Sequence, residues 1–249
     1  MNKTNELPGQ NLAVLIDGDN IDSKFIAPLL KEVSSYGTAY VKRIYGDWTS
    51  NRLGGWKKVL NQLSIQPIQQ FAYTSGKNAT DSALIIDAMD LLYTNNFHGF
   101  CLVSSDSDFT RLASRLRESG LKVYGFGERK TPESFVNACD KFIHVENLLP
   151  STANTGKSES STKAKANKKL IRLLTDAYTA VCRDDGWAEL GPLGSQLNKL
   201  SASFDPRNYN CKKLGDLIVN VGIFEIKKTP HQNNPSVLDI YVRPKNSQI

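Results

Sequence analysis

No apolar run in this sequence approaches the roughly 20 residues that a membrane-spanning helix needs, so no membrane-embedded segment is expected. The first ten residues are polar and hold no apolar stretch of the secretory type, which makes a cytoplasmic location the expectation. Cysteine is scarce. Cys101, Cys139, Cys182 and Cys211 stand far apart and make no CxxC pair, which excludes a disulfide framework and a zinc site of the usual spacing. They are expected to be reduced structural thiols. The three histidines, His98, His144 and His231, lie in different settings and form no ligand pair. There is no GxSxG nucleophile elbow, no Walker A loop and no GxGxxG element. Catalysis by an activated serine and binding of a nucleotide through a glycine-rich loop both lack their signature.

What remains is an ordinary composition with an uneven charge. The 249 residues are 40% apolar and 22% charged, as in a globular protein of one or two domains. The net charge of +6 is not shared equally. Residues 1–150 are balanced, residues 151–167 carry +2, and residues 168–249 carry 12 Lys and Arg against 8 Asp and Glu. A neutral half with clustered acids joined to a basic half suits an acidic polymer as partner. A charge of this size is also common in small domains for solubility alone.

The chain divides into three. Residues 1–149 alternate strands and helices. Strands are expected at 11–17, 38–45, 65–73, 100–104, 121–126 and 142–145. Helices are expected at 21–35, 56–63, 80–94, 108–119 and 132–138. This alternation predicts an α/β fold with a parallel sheet covered on both faces. In the common 3-2-1-4-5 order, strands one and four are neighbours at the switch point, where ligands bind. Residues 150–167 are polar and rich in Ser and Thr, and are expected to form a flexible linker. Residues 168–249 read as helices at 168–182, 193–200 and 211–219, then strands at 223–227 and 237–242. Three helices followed by a hairpin predict a small winged helix.

Acids collect where this architecture places a site. Asp17 ends strand one, Asp106 and Asp108 follow strand four, and Asp81 opens the 80–94 helix on the same rim. Grouped carboxylates repel and tend to protonate unless a cation joins them. Hard cations such as Mg²⁺ or Mn²⁺ prefer such oxygen ligands and promote phosphodiester hydrolysis without a side-chain nucleophile. Taken singly, Asp81 and Asp108 could be helix caps. Asn20 could fix a carboxylate, contact a phosphate or cap the first helix, and Lys77 could contact a phosphate or be an ordinary loop lysine. Asp19 could face the site or solvent, and Asp87, six residues past Asp81, should point away from it. Trp48 and Arg52 could line a nucleic-acid path. A phosphatase with Asp17 as nucleophile is a rival suggested by Asp17-Gly18-Asp19, and a non-catalytic RNA-binding module is another.

Three blocks carry a resemblance. Leu15-Ile16-Asp17-Gly18-Asp19-Asn20, Thr80-Asp81-Ser82-Ala83-Leu84-Ile85-Ile86-Asp87 and Leu102-Val103-Ser104-Ser105-Asp106-Ser107-Asp108-Phe109 resemble the NYN domain family, which is PIN-like and includes LabA-like proteins. The resemblance covers about residues 11–147. It implies a Rossmann-like PIN fold and a metal-dependent ribonuclease site, with Asp17, Asp81, Asp106 and Asp108 binding Mg²⁺ or Mn²⁺ and Asn20 as polar companion. Ser105 departs from a frequent Gly. Residues 168–243 resemble the OST-HTH/LOTUS domain through Gly186-Trp187-Ala188-Glu189-Leu190-Gly191-Pro192-Leu193-Gly194, Phe204-Asp205-Pro206-Arg207-Asn208-Tyr209 and Leu214-Gly215-Asp216-Leu217. Asn210 stands where a Gly often occurs. This second resemblance implies RNA or a protein as partner.

Overall fold

Strand β1 (Asn11–Asp17) is buried beyond its first residue because helices cover both of its faces. In the computed structural model, which describes residues 9–49, 51–71, 79–149, 167–231 and 234–245, it lies at the centre of a six-stranded parallel sheet. Its neighbours are β2 (Thr38–Gly46) and β4 (Gly99–Val103). With β3 (Gln66–Gln69), β5 (Lys122–Gly127) and β6 (Lys141–His144), the order is β3-β2-β1-β4-β5-β6. The expected reversal between strands one and four is therefore present. The described residues separate into two compact units, 1–150 and 151–249.

Period-two alternation distributes β1 between two cores. Leu12, Val14 and Ile16 pack with α1 (Ile26–Val33) and with Trp56 of α2 (Gly54–Lys57). Ala13 and Leu15 pack on the other side, against α3 (Ala79–Tyr93), α4 (Thr110–Glu118) and α5 (Glu133–Ala138). The expected inward face of α3, Leu84, Ala88, Leu91 and Leu92, is buried.

Several boundaries differ from expectation for local reasons. The first helix begins late, because Asp22 accepts a bond from Lys24 N (3.0 Å) and caps a 3₁₀ turn at Ser23–Phe25. The second starts at Gly54 rather than Trp56 and ends at Lys57. Val59 N and Leu60 N then share Trp56 O (2.9 and 3.1 Å), three and four residues back, and the chain goes on in turns rather than regular helix. Strand β3 retains Pro67. Gln70 N reaches Gly46 O of β2 (3.2 Å), so by alternation the Pro67 nitrogen faces away from β2, where no ladder bond is lost.

The second unit contains α6 (Lys168–Val181), α7 (Leu190–Leu200) and α8 (Leu214–Val221), then the antiparallel hairpin β8 (Phe224–His231) and β9 (Asn234–Pro244). This is a small winged-helix arrangement. Helix α7 starts three residues before the expected Leu193, because Gly191 and Pro192 fall in its first turn, where backbone N–H groups have no helical partner. A short strand that sequence reading missed, β7 (Ala188–Glu189), pairs with β9. Helix α8 starts later than the expected Cys211. Asn210 precedes it in the left-handed region (φ 58°), which Asn tolerates better than most residues and which explains why it can replace Gly.

No helix among the described residues is long and apolar enough to cross a membrane. All four cysteines are free, and Cys101, Cys139 and Cys211 are buried. Cys182 is exposed, so the structural role expected for it is not supported by packing. The linker expected at 150–167 lies, apart from Asn167, outside the described residues. Asn167 caps α6 by accepting from Leu170 N (3.1 Å).

Leu15→Ala should remove about 2–5 kcal/mol from the first unit. Calorimetry should show two transitions, with only one of them lowered. A uniform shift of a single transition would contradict independent folding of the two units.

Candidate metal centre

The carboxyl ends of β1 and β4 and the start of α3 meet at one rim. The register of β1 on β4 ends at Ile16 opposite Val103, which brings Asp17 level with Ser104. Gly18 follows, and its N–H donates to Tyr45 O (2.9 Å). A Cβ at Gly18 would lie 2.9 Å from that same oxygen, so the turn needs a glycine to approach β2.

Asp17 is only 1% exposed. Its Oδ2 accepts from Asn20 Nδ2 (2.5 Å) and Ser104 Oγ (2.8 Å), and its Oδ1 accepts from Asp19 N (3.2 Å). Burial raises its pKa above the ordinary carboxylate value, and these bonds, led by Asn20 and Ser104, oppose that rise. A nucleophile must reach its substrate, and this carboxylate is enclosed and held by three donors, which counts against the phosphatase reading.

Ser104 links the acids. Its hydroxyl donates to Asp17 and accepts from Asp106 N (3.1 Å). Asp106 in turn accepts from Asp108 N (2.9 Å) and caps the 3₁₀ turn Ser107–Phe109. The residue that caps this turn is therefore Asp106 and not the Asp108 expected, and capping is compatible with a ligand role because one oxygen of Asp106 caps and a carboxylate has two. Sequence reading assigned no role to Ser104; its one signal was its position beside the acids. Ser105 accepts from Glu128 N (2.9 Å), a bond that the more frequent Gly could not make. It ties the acidic turn to the loop after β5. Gly127 ends that strand so close by that a Cβ would sit 2.5 Å from Ser104 O.

Asp81, Asp106 and Asp108 come together: one oxygen from each lies within 4.8 Å of the others. Asp81 and Asp106 are partly buried and Asp108 is exposed. Asp17 lies outside this set of three but acts on it by charge. Asp81 is pushed up to about 6, first by burial, then by the charges of Asp17, Asp106, Asp108 and Asp19. A site in which four neighbouring acids oppose ionisation fits a divalent cation with oxygen ligands. Asp19 is exposed and accepts from Thr80 Oγ1 (3.3 Å), bridging the β1 turn to the start of α3.

The remaining candidates are more dispersed. Asn20 fixes the Asp17 carboxylate. Lys77 lies outside the described residues. Asp87 points away from the acids, as expected, and is paired with Arg43 and the Tyr45 hydroxyl of β2. That pairing fastens α3 to the sheet and was not anticipated. Trp48 spends its indole N–H on Ile68 O (3.1 Å), which anchors a loop.

Residues 11–148, more than half of the chain, match the NYN domain family, and residues 161–235 match the OST-HTH/LOTUS domain. No curated protein matches the chain. A crystal structure of a protein of unknown function from Vibrio parahaemolyticus is similar at 15% identity with a TM-score of 0.50, covering 59% of this chain and 99% of its own. That likeness concerns fold alone. A solution NMR structure of an uncharacterized protein from Nitrosomonas europaea is 32% identical, with a TM-score of 0.28, over 31% of this chain and 74% of its own.

The raised Asp81 pKa sets the sign of a stability effect. Between pH 4 and 6 the folded chain retains a proton that the unfolded chain has released, so metal-free stability falls as pH rises through that window. Asp81→Asn should therefore stabilise the metal-free protein at pH 7 by ~1–2 kcal/mol, discounted for partial exposure. That corresponds to about 2–8 °C in melting temperature, with the gain shrinking as pH falls below 6. Mn²⁺ should raise the melting temperature of the wild type more than that of the variant. A lower melting temperature for metal-free Asp81→Asn would instead mark Asp81 as a structural cap.

Proposed function

We propose, from the premise that this chain belongs to the NYN domain family, that it is a metal-dependent endoribonuclease hydrolysing RNA phosphodiester bonds. NYN domains are generally nucleases, and OST-HTH domains bind RNA. The observation that carries the reading is the Asp81, Asp106 and Asp108 group within 4.8 Å at the carboxyl rim of the sheet. When bound there, Mg²⁺ or Mn²⁺ would neutralise charge on the phosphodiester and activate water for attack.

In this reading Asp81, Asp106 and Asp108 hold the cation directly. Asp17 is the fourth acid of the site, contributing its charge and, through Ser104, the position of Asp106. Asn20 keeps Asp17 oriented. Lys77, four residues before Asp81, contacts a substrate phosphate. Residues 1–149 form the nuclease domain, 150–167 the segment that joins it to the second domain, and 168–249 a domain that holds RNA or a protein partner. The protein acts in the cytoplasm, without a membrane. Support for a catalytic rather than purely binding role comes from the completeness of the acidic set, because a site that only binds RNA gains nothing from grouped negative charge facing a polyanion.

Labelled single-stranded RNA should be cut in the presence of Mn²⁺ or Mg²⁺ and remain intact in EDTA. Asp106→Asn should lower the rate by about a hundredfold or more, as loss of a direct ligand implies. Equal cleavage by wild type and Asp106→Asn would remove the activity from this site.

Ser104→Ala tests the supporting contact. It should weaken Mn²⁺ affinity roughly 10-fold, with activity recovering at high Mn²⁺. Titration of activity against Mn²⁺ measures this, and an unchanged midpoint would make the Ser104 bridge irrelevant to the cation.

A further inference from the structure

The outward face of the second unit's sheet gathers aromatic rings and cations. Register across the hairpin sets Lys227 opposite Tyr241 and Glu225 opposite Arg243, while the intervening pair, Ile226 and Val242, packs in the core. Trp187, just before β7, joins the outward group. The Arg243 guanidinium carbon lies 4.6 Å from the centre of its ring and Lys227 Nζ lies 5.8 Å away. The Arg183 guanidinium carbon lies 5.5 Å from the Tyr241 ring centre. Each arginine is also oriented by a carboxylate: Arg243 Nη2 donates to Glu225 (2.9 Å) and Arg183 Nη2 to Glu189 (3.1 Å). The guanidiniums remain open to solvent, with side chains 57% exposed at Arg183 and 43% at Arg243. Trp187 and Tyr241 are only partly covered.

Two features narrow the partner. Flat rings beside guanidinium planes are surfaces on which nucleobases stack, with cations at hand for the phosphates between them. Helix α8 is the second of the α7–α8 pair, the position from which such folds enter a duplex groove. Its eight residues include Asp216 and no Lys or Arg, and its only adjoining cations are Lys212 and Lys213 just before its start. A helix with an acid and no cation along its length is poorly suited to lie between two phosphate backbones. Arg183, Arg243 and Lys227 stand on the sheet face, next to the rings.

We propose that this face is a stacking platform for single-stranded RNA, with bases on Trp187 and Tyr241 and phosphates at Arg183, Arg243 and Lys227. It rests on RNA being the polymer that the chain engages, as in the proposed function, but not on the chain cutting it.

Fluorescence anisotropy of a labelled single-stranded RNA of about 12 nucleotides, with the full chain in EDTA at low salt, tests this without cleavage. Trp187→Ala and Tyr241→Ala should each weaken binding about 5–20-fold, while Trp187→Phe and Tyr241→Phe, which keep a ring, should stay within about twofold of wild type. Lys227 is exposed, so Lys227→Ala should fold normally and reduce the salt dependence by about one phosphate contact. In a parallel incubation of the wild-type chain with Mn²⁺, RNA that stays intact while binding in EDTA is kept would count against the nuclease reading and leave the platform standing. Wild-type affinity in folded Trp187→Ala and Tyr241→Ala, or tighter binding of an RNA duplex than of the single strand, would overturn the platform. Absence of RNA binding by the wild-type chain, the outcome if this face docks a protein, would overturn it too.

Discussion

A carboxylate at the end of a buried strand has to be solvated by the protein itself. Asp17 is in that position, and its three donors come from the next turn of its own strand and from the neighbouring one. The requirement shapes everything around it. Gly18 lets the turn close against β2, Asn20 folds back, and Ser104 must stand level with Asp17, which holds β1 and β4 in register. Because the Ser104 hydroxyl also receives the Asp106 N–H, the solution to one buried charge becomes the placement of the next.

Helix α3 is positioned by a separate device. Asp87 engages Arg43 and Tyr45 from a point about one and two-thirds turns beyond Asp81. This bond group lies within the first unit but away from the acids, and it presses the helix onto β2 while leaving its first turn at the rim. Burial and the Asp87 bond both raise the Tyr45 pKa, so the phenol remains a neutral donor across the working pH range. The acids are therefore held by two independent sets of contacts, one in the strand turns and one along the helix. Their mutual repulsion is sustained by the fold around them.

Much of this was legible in sequence because its causes are local. Apolar runs bounded by Gly and Asp marked the central strands, and their alternation with helices implied the strand order that the sheet adopts. The paired acids at 106 and 108 were visible for the same reason. The contacts missed were those that join distant segments. Nothing local to Ser104 says that Asp17 lies beside it, and nothing near Asp87 names Arg43. Trp48 looked available for a ligand because its bond to Ile68 spans twenty residues. Helix starts near Gly191 and Pro192 were misjudged because the position of a breaker within the first turn matters more than its presence. The two-residue β7 offered no periodicity to detect.

Pro67 has a consequence beyond the strand it occupies. Strand β3 closes one side of the sheet, and such a border ordinarily offers a free row of donors and acceptors to any extended chain. Here the outward row lacks a donor near its start, since the proline nitrogen faces away from β2 and carries no hydrogen. A strand from another molecule would find the ladder interrupted at that point. An apparent flaw in the strand thus makes this border a poorer template for strand addition.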